Sequence, residues 1–406
     1  MTTAPSMDDM LGAVDVVDPY PLWQSLLDGG PLVAPDGSFA LLSSHEHCDA
    51  VLRSPGFSSD RRNSTRWQAV LAAMSEADRA RLERQRSFLF LDPPDHTRLR
   101  RLVSKAFTPR TVERLVPLVE DLTTGMLDRA EDPLEVVGEL AYPLPVTVIS
   151  RMLGVPEQDH VRFAGWSEVL AKSLDDTLSA ADAEEVRLRR RAVDDFRAYF
   201  TELCAQRRTN PQDDLLTALV EAEDDGDRLS TDELLSTAML LLIAGHETTV
   251  NLIANGTLAL LRDEQLRTQV AADPASAAGL VEEVLRLDPP VQMTMRIPLA
   301  DVEVPGGRVH AGGTVVLLLA AAGRDPAQHA DPLRLDVSRT TAHLALSAGP
   351  HYCLGAPLAR LEARIALTAL ARRLVDPELV ELSYRPNRVL RGPERLVLAA
   401  GALRRN

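Results

Sequence analysis

The residues best suited to chemistry lie in one stretch near the C-terminus, HLALSAGPHYCLGAPLARLEAR, at positions 343–364. Cys353 stands where a glycine-rich loop leads into a predicted helix. Unpaired backbone N–H groups and the positive dipole end at a helix N-terminus stabilise a thiolate. Gly349 and Gly355 let the backbone approach something flat, and His351 is a ready donor to an acid. These flanks favour a functional thiolate over a small buried core residue.

A second group of polar residues interrupts a long apolar helix. Ser230 forms a capping-box pattern with the glutamate three residues later. The helix is predicted from about Thr231 to Leu261, roughly 45 Å at 1.5 Å per residue. Its AMLLLIAG segment, at positions 238–245, is apolar on all sides and therefore expected to be buried.

The next four residues of this helix are His246, Glu247, Thr248 and Thr249. Buried polar groups without partners are costly, so they indicate a functional site or, alternatively, a kink in which threonines bond to carbonyls one turn back. Ala244 shares a face with Thr248. A small residue beside a hydroxyl leaves room for a diatomic ligand.

Two shorter motifs carry paired charges. Asp95 can cap a helix on which His96 and Arg100 share one face; an ordinary solvated basic face is the alternative. Glu283 and Arg286 are three residues apart, a spacing for a helical ion pair. Such pairs contribute little when they are exposed.

The segment VQMTMRIP, from Val291 to Pro298, is predicted to be a strand with alternating faces. Gln292, Thr294 and Arg296 would then share one face.

Composition limits the class of protein. The chain has 406 residues, is 45% hydrophobic and carries a net charge of −15, which argues against nucleic acid as a partner. Three widely spaced cysteines predict a reducing, cytoplasmic location without disulfides. Neither a signal peptide nor a membrane span is expected, and we expect a monomer.

Four of these motifs together resemble those of bacterial, ferredoxin-dependent cytochrome P-450 monooxygenases. The run GPHYCLGAPLAR resembles the haem-binding loop F-G-x-G-x-H-x-C-x-G, AGHETT the oxygen-activating motif, DHTRLR the C-helix motif and VEEVLR the E-x-x-R motif. The chain departs from the haem loop at Leu346, where the family has Phe, and at Ser347, where it has Gly.

The resemblance implies a haem b cofactor with Cys353 as its iron ligand. Four further residues would bind the haem propionates: His96, Arg100, Arg296 and His351. Gly349 and Ala244 would also contact the cofactor. Glu283, Arg286 and a later arginine would form a structural cluster behind the haem, with Arg339 the first candidate and Arg334 the second.

On the same resemblance, Thr248 would hydrogen-bond bound dioxygen and Glu247 would relay protons from solvent, a general-acid role. The substrate pocket is expected to contain Leu89, Leu241, Ala244, Gln292 and Thr294.

The expected fold is mainly α with minor β-sheets, a roughly triangular single domain over residues 1–406. The β-rich parts are predicted at about 30–55, 291–320 and 378–403, and the helical parts at about 95–290 and 354–375. One short helix is predicted near 67–84, a solvent-exposed acidic loop at 221–227, and two amphipathic helices within 157–208 that separate near 174–181.

The resemblance implies that electrons pass from NAD(P)H through ferredoxin reductase and ferredoxin, and that one oxygen atom from O2 enters a C–H bond of a medium-to-large apolar molecule such as a polyketide, terpenoid or steroid. Epoxidation, oxidative coupling or peroxide-driven turnover are alternatives within the family. A non-catalytic haem sensor and a hydrolase using Cys353 with His351 are alternatives outside it.

The basic segment from His96 to Arg110 contains five Lys or Arg and no acid. With Arg100 turned inward, Arg98, Arg101 and Lys105 are expected to face outward and to attract an acidic ferredoxin. The alternative is that they pair with acids from elsewhere in the chain.

Overall fold

The computed structural model describes residues 14–15, 17–171, 183–224, 226–340 and 342–404. Its α-helices, numbered in chain order, are α1 Tyr20–Gly29, α2 His45–Arg53, α3 Thr65–Ala73, α4 Glu76–Glu83, α5 Asp95–Ala106, α6 Pro109–Glu113, α7 Val116–Arg129, α8 Pro143–Met152, α9 His160–Ala171, α10 Ala183–Thr209, α11 Leu215–Glu221, α12 Thr231–Arg262, α13 Glu264–Ala272, α14 Pro274–Leu287, α15 Leu319–Ala322 and α16 Ala356–Arg373.

The strands are short and few. They are β1 Leu32–Val33, β2 Phe39–Leu42, β3 Phe57–Ser58, β4 Glu223–Asp224, β5 Asp227–Arg228, β6 Thr294–Pro298, β7 Val302–Val304, β8 Gly307–Val309, β9 Thr314–Leu317, β10 Leu379–Tyr384 and β11 Pro393–Leu398. Single 3₁₀ turns cover Arg61–Asn63, Phe88–Phe90, Glu157–Asp159 and Gly349–His351, and a π turn covers Val137–Ala141. The protein is therefore mainly helical with small sheets, as the sequence predicts.

Helix α12 lies at the centre of the helical part. The predicted capping box is present: the Ser230 hydroxyl accepts from the N–H of Glu233, and the Glu233 carboxylate accepts from the N–H of Ser230. The helix packs against α8, α14 and α16. Its contact with α16 is close, because a Cβ at Gly256 would lie only 2.5 Å from Leu367. By length and composition α12 could cross a membrane, yet 61% of its apolar window is buried inside the protein, as in a core helix.

The strands form one main sheet and three hairpins. The main sheet has the order β1-β2-β9-β6-β3, in which β2 and β9 are parallel and the other neighbours are antiparallel. The hairpins are β4–β5, β7–β8 and β10–β11. Apolar side chains of β2 and β9 pack on both faces of the sheet, so it separates two small cores from each other.

Three local expectations need correction. The predicted helix near 67–84 is two helices, α3 and α4, because Met74 is extended and the hydroxyl of Ser75 caps α4. The predicted acidic loop at 221–227 contains the β4–β5 hairpin, whose Asp224 side chain is mostly covered. The apolar middle of α12 is not buried all round, since Ala244 is exposed. The predicted break near 174–181 lies outside the described residues.

Helix α14 has a tight contact that the sequence does not reveal. A Cβ at Gly279 would lie 2.0 Å from the backbone oxygen of Val337. This approach fixes α14 against the loop after α15, and α14 carries the predicted Glu283–Arg286 pair.

We therefore expect Gly279→Ala to lower the free energy of unfolding by about 1–3 kcal/mol through overpacking, although alanine favours a helix by about 1 kcal/mol over glycine. Chemical denaturation measures this change. Gly165→Ala in α9 is the control, because a Cβ there meets nothing within 4 Å. Equal stability of the Gly279→Ala variant and the wild type would contradict the contact.

Candidate cofactor and active site

The loop that carries Cys353 ends at the N-terminus of α16, and a backbone hydrogen bond closes it. The N–H of Cys353 donates to the carbonyl of Leu346 over 2.9 Å. Burial raises the pKa of the Cys353 thiol, although the N–H groups of Gly355 and Ala356 and the positive charge of Arg100 act in the opposite direction. The helix N-terminus predicted to stabilise a thiolate is thus present, but burial outweighs it. A bound cation would reverse the balance, because a coordinating thiol is deprotonated outright.

Two residues of this loop adopt left-handed backbone. Gly349 has φ of +64°, and a Cβ there would lie 2.7 Å from the carbonyl oxygen of Leu52, so only glycine fits without strain. Ser347 has φ of +63° and buries a hydroxyl that has no partner among the described residues. A left-handed non-glycine residue costs roughly 1–2 kcal/mol.

Two histidines lie in contact beside the cysteine. The rings of His96, on α5, and His351 are 4.1 Å apart. His96 is 2% exposed, and neither of its ring nitrogens has a hydrogen-bond partner among the described residues. Burial and the positive charge of Arg100 lower the pKa of His96. Burial, followed by the charges of His96 and Arg296, lowers the pKa of His351 to about 3.

Two arginines on neighbouring elements add positive charge to the two neutral histidines. Arg100 donates to the carbonyl of Tyr352 over 2.6 Å. Arg296, on β6, donates to the carbonyl of Met295 over 2.8 Å and to the hydroxyl of Thr294 over 3.4 Å. Burial lowers the pKa of Arg296 to about 10. No carboxylate within the described residues pairs with either guanidinium, so both remain available to an anion.

The centre of α12 shows the predicted small residue beside a hydroxyl. Ala244 is exposed and Thr248, one turn later, is half-buried. The hydroxyl of Thr248 donates to the carbonyl of Ala244 over 2.9 Å, and that of Thr249 donates to the carbonyl of Gly245 over 3.0 Å. The back-bonding expected of a purely structural motif is therefore present, but it leaves the lone pairs of the Thr248 oxygen free to accept.

The carboxylate of Glu247 lies in a buried polar network. One oxygen is 3.3 Å from Nε2 of His246, and the other pairs with Arg385, which follows β10. Nδ1 of His246 is 2.7 Å from the hydroxyl of Ser167 on α9. Burial alone would raise the pKa of Glu247, but the bonds to His246 and Arg385 outweigh it and lower the pKa. Sequence reasoning missed Ser167 and Arg385, since no local pattern connects them to α12.

Comparisons with known proteins identify the family of the chain. A family model for cytochrome P-450 matches residues 71–376. The chain is 41% identical to the cytochrome P-450 monooxygenase PikC of Streptomyces venezuelae, over 96% of this chain and 94% of the relative.

The chain is also 39% identical to vitamin D(3) 25-hydroxylase of Pseudonocardia autotrophica, over 98% of both proteins. The crystal structure of Mycobacterium smegmatis CYP164A2 with econazole bound superposes with a TM-score of 0.87 at 44% identity, over 96% of this chain and 98% of that one.

The chain belongs to the cytochrome P-450 family. It is a monooxygenase of that family, and membership implies a haem-thiolate cofactor. The residues around Cys353 fit such a group: a buried histidine with two unsatisfied ring nitrogens and two arginines without an acid would suit the two propionates of a haem. The thiol of Cys353 matches the iron.

The E-x-x-R cluster of this cytochrome P-450 is fully formed. Arg286 donates to both oxygens of Glu283 over 2.7 and 2.9 Å, and the side chains of both residues are at most 3% exposed. Arg339 is the third member, with its Nε 3.3 Å from the carboxylate. Arg334 contributes only its carbonyl, which accepts from Arg286. Three charges buried together must remain paired, because removing one leaves another uncompensated.

The predicted pocket residue Gln292 lies elsewhere, and that prediction is wrong. Its side chain donates to the carbonyl of Pro289 over 2.7 Å and accepts from the indole N–H of Trp23 over 3.0 Å. The reason is that β6 begins only at Thr294, so the alternation of faces does not extend back to position 292. Leu89 and Leu241 are half-buried, and their pocket role stays a prediction.

The prediction of an unpaired basic face on α5 is also wrong. Arg98 pairs with Asp227 and Glu233. Both Arg101 and Lys105 pair with Asp224 on the β4–β5 hairpin. The acids come from more than a hundred residues later in the chain, so the segment from 96 to 110 could not reveal them. The hydrolase alternative also fails, since the ring of His351 lies against His96 and no hydrogen bond joins it to Cys353 in the described ranges.

The Glu247 network predicts a pH-dependent contribution to stability. A carboxylate with a lowered pKa stabilises the fold above its unfolded pKa of roughly 4.3 and loses this contribution as the pH falls towards the folded value. We expect Arg385→Gln to cost about 1–3 kcal/mol at neutral pH, and less in acid.

A double-mutant cycle with Glu247→Gln, followed by denaturation at several pH values, measures the coupling. The control is Arg395→Gln on the same hairpin, which breaks only an exposed pair with Glu381 and should cost less than about 1 kcal/mol. A coupling free energy near zero between positions 247 and 385 would contradict the network.

Proposed function

We propose that this cytochrome P-450 holds haem b through the thiolate of Cys353 and inserts one oxygen atom from O2 into a C–H bond of a medium-to-large, largely apolar molecule. Electrons would come from NAD(P)H through ferredoxin reductase and ferredoxin in the cytoplasm. The observation that carries the proposal is the buried His96 with both ring nitrogens unsatisfied, in contact with His351 two residues before the cysteine.

The cofactor would supply oxygen activation, which no amino-acid side chain provides. The protein's own residues bind and position. His96, His351, Arg100 and Arg296 would hold the propionates, and charge-assisted hydrogen bonds from Arg are well suited to carboxylates. Leu89, Leu241 and Thr294 are our candidates for contact with the substrate.

Proton delivery is the second task of the chain. The Thr248 oxygen can accept and pass on a hydrogen bond beside the small Ala244 side chain. Glu247 is ionised in its pair with Arg385, so it must exchange that partner before it can carry a proton to the site. A proton relay favours reductive oxygen activation over the peroxide-driven alternative and over a sensor without turnover.

The substrate class is a proposal based on relatives. One relative is named for hydroxylation of vitamin D(3), which supports a steroid-like or comparable natural product. A polyketide or terpenoid substrate fits the same reaction.

The ligand assignment is tested by Cys353→Ser. Without a thiolate, the ferrous CO complex should lose its red-shifted Soret band and absorb like a haem with a neutral ligand. Absorption spectra of the reduced, CO-treated variant measure this, and haem content is determined separately. A variant that retained the red-shifted band would contradict the assignment.

The proton-delivery role is tested by Thr248→Ala. Haem binding should be unchanged, while less of the NAD(P)H consumed should yield product and more reduced oxygen should leave as peroxide. We expect a several-fold loss of coupling between NAD(P)H consumption and product formation.

Thr249→Ala is the matched control, because Thr249 makes the same back-bond one residue later but is 2% exposed. Equal coupling in the two variants would show that the hydroxyl at position 248 has only a structural role.

A further inference from the structure

Arg61 is a charged side chain without an obvious partner. It opens the 3₁₀ turn Arg61–Asn63, which follows β3. Its guanidinium lies over the ring of Phe90, with Cζ 4.1 Å from the ring centroid. Its Nε is buried without a hydrogen-bond partner, and no ion pair to Arg61 occurs in the part of the chain that the structure describes.

The neighbouring carboxylates are already used. Asp60 binds Arg62 through both of its oxygens. Asp92 accepts from the hydroxyl of Ser58 and from the N–H of Ser59. Burial alone lowers the pKa of Arg61 to about 10, with no offsetting acid. Arg61 is half-buried, and its Nε has lost water without gaining a hydrogen bond in the described ranges, so a structural explanation for this arginine is weak.

The position of Arg61 connects it to the active site. Phe90 belongs to the turn Phe88–Phe90, together with the predicted pocket residue Leu89. The ring of Phe88 lies 6.5 Å from that of His96, on the cofactor wall. The stack on Phe90 therefore holds the guanidinium against the segment 88–90, and the Phe88 end of this segment borders the predicted propionate-binding residue His96.

We propose that Arg61 binds the carboxylate of the substrate, so that the natural substrate is a largely apolar molecule with one acidic group. The inference rests on the proposed function. A haem propionate is the competing carboxylate, but His96, His351, Arg100 and Arg296 already provide four donors for two propionates. Arg61 is additional to that set, and it stacks on the segment that carries the predicted pocket residue.

The test uses the holoenzyme and a series of imidazole-terminated alkanoic acids of increasing chain length, each compared with the corresponding alcohol. The imidazole reports its own binding through the shift of the Soret band, whatever the natural substrate is. At the chain length that reaches Arg61, the acid should bind the wild type about tenfold or more tightly than the alcohol, as a hydrogen bond to a charged group would provide.

Arg61→Met should abolish this preference, because it keeps an apolar stem on Phe90 but removes the charge. Arg61→Lys should keep part of the preference for the acid, because it keeps the positive charge. This variant therefore separates loss of charge from any misfolding caused by the Met substitution. The control is Arg62→Met, which removes the adjacent charge that Asp60 and Glu83 already neutralise, and the preference should survive.

The proposal is overturned if no acid in the series is preferred by the wild type, or if the preference persists in Arg61→Met. It is also overturned if Arg61→Met releases haem to apomyoglobin faster than the wild type and Arg62→Met does not, since Arg61 would then serve a propionate. Failure of every imidazole to shift the Soret band, with no red-shifted CO band, would instead refute the proposed function.

Discussion

The structure depends on the charge balance around one half-buried sulfur atom. The thiol of Cys353 lies at a helix N-terminus, where backbone N–H groups and Arg100 favour the thiolate, yet burial raises its pKa above the ordinary value. Only an added cation makes the anionic form the stable one. The loop is held close to the end of α2, because Gly349 adopts a left-handed conformation against the carbonyl of Leu52. Membership of the family implies a haem-thiolate cofactor, and its iron would supply the cation that a thiolate at this position needs.

The motifs were the part of the site that the sequence could predict. Cys353, His351 and the Glu283–Arg286 pair depend on short local spacings that a helix or tight loop converts directly into geometry. Arg339, proposed on the family resemblance, also lies beside Glu283. The long helix α12 was predicted to within one residue at its end, since a capping box and an apolar run determine a helix locally.

The errors share a physical cause, which is contact between distant segments. The acids that neutralise Arg98, Arg101 and Lys105 come from the region 224–233, and the arginine that pairs with Glu247 comes from position 385. The expected alternation of side chains along β6 does not reach Gln292, because the strand begins only at Thr294. The side chain of Gln292 instead accepts a hydrogen bond from Trp23. Charge patterns along one helix therefore say little about which charges remain free on the folded surface.

Some buried polar groups have their hydrogen bonds satisfied within the chain, and others do not. The first kind has a structural role, and the second kind indicates a binding site. Glu283 and Gln292 are buried with their hydrogen bonds made inside the chain, and both have structural roles. His96 is buried with both ring nitrogens unsatisfied, and the half-buried Arg61 leaves its Nε without a partner in the described ranges. A buried polar atom without a partner calls for an explanation, and a bound ligand is the one that we propose for His96 and Arg61. Glu247 stands between the two kinds: its pair with Arg385 is complete, so the catalytic role expected of it requires that pair to open, and the partly exposed side chain of Arg385 is the member free to move towards solvent.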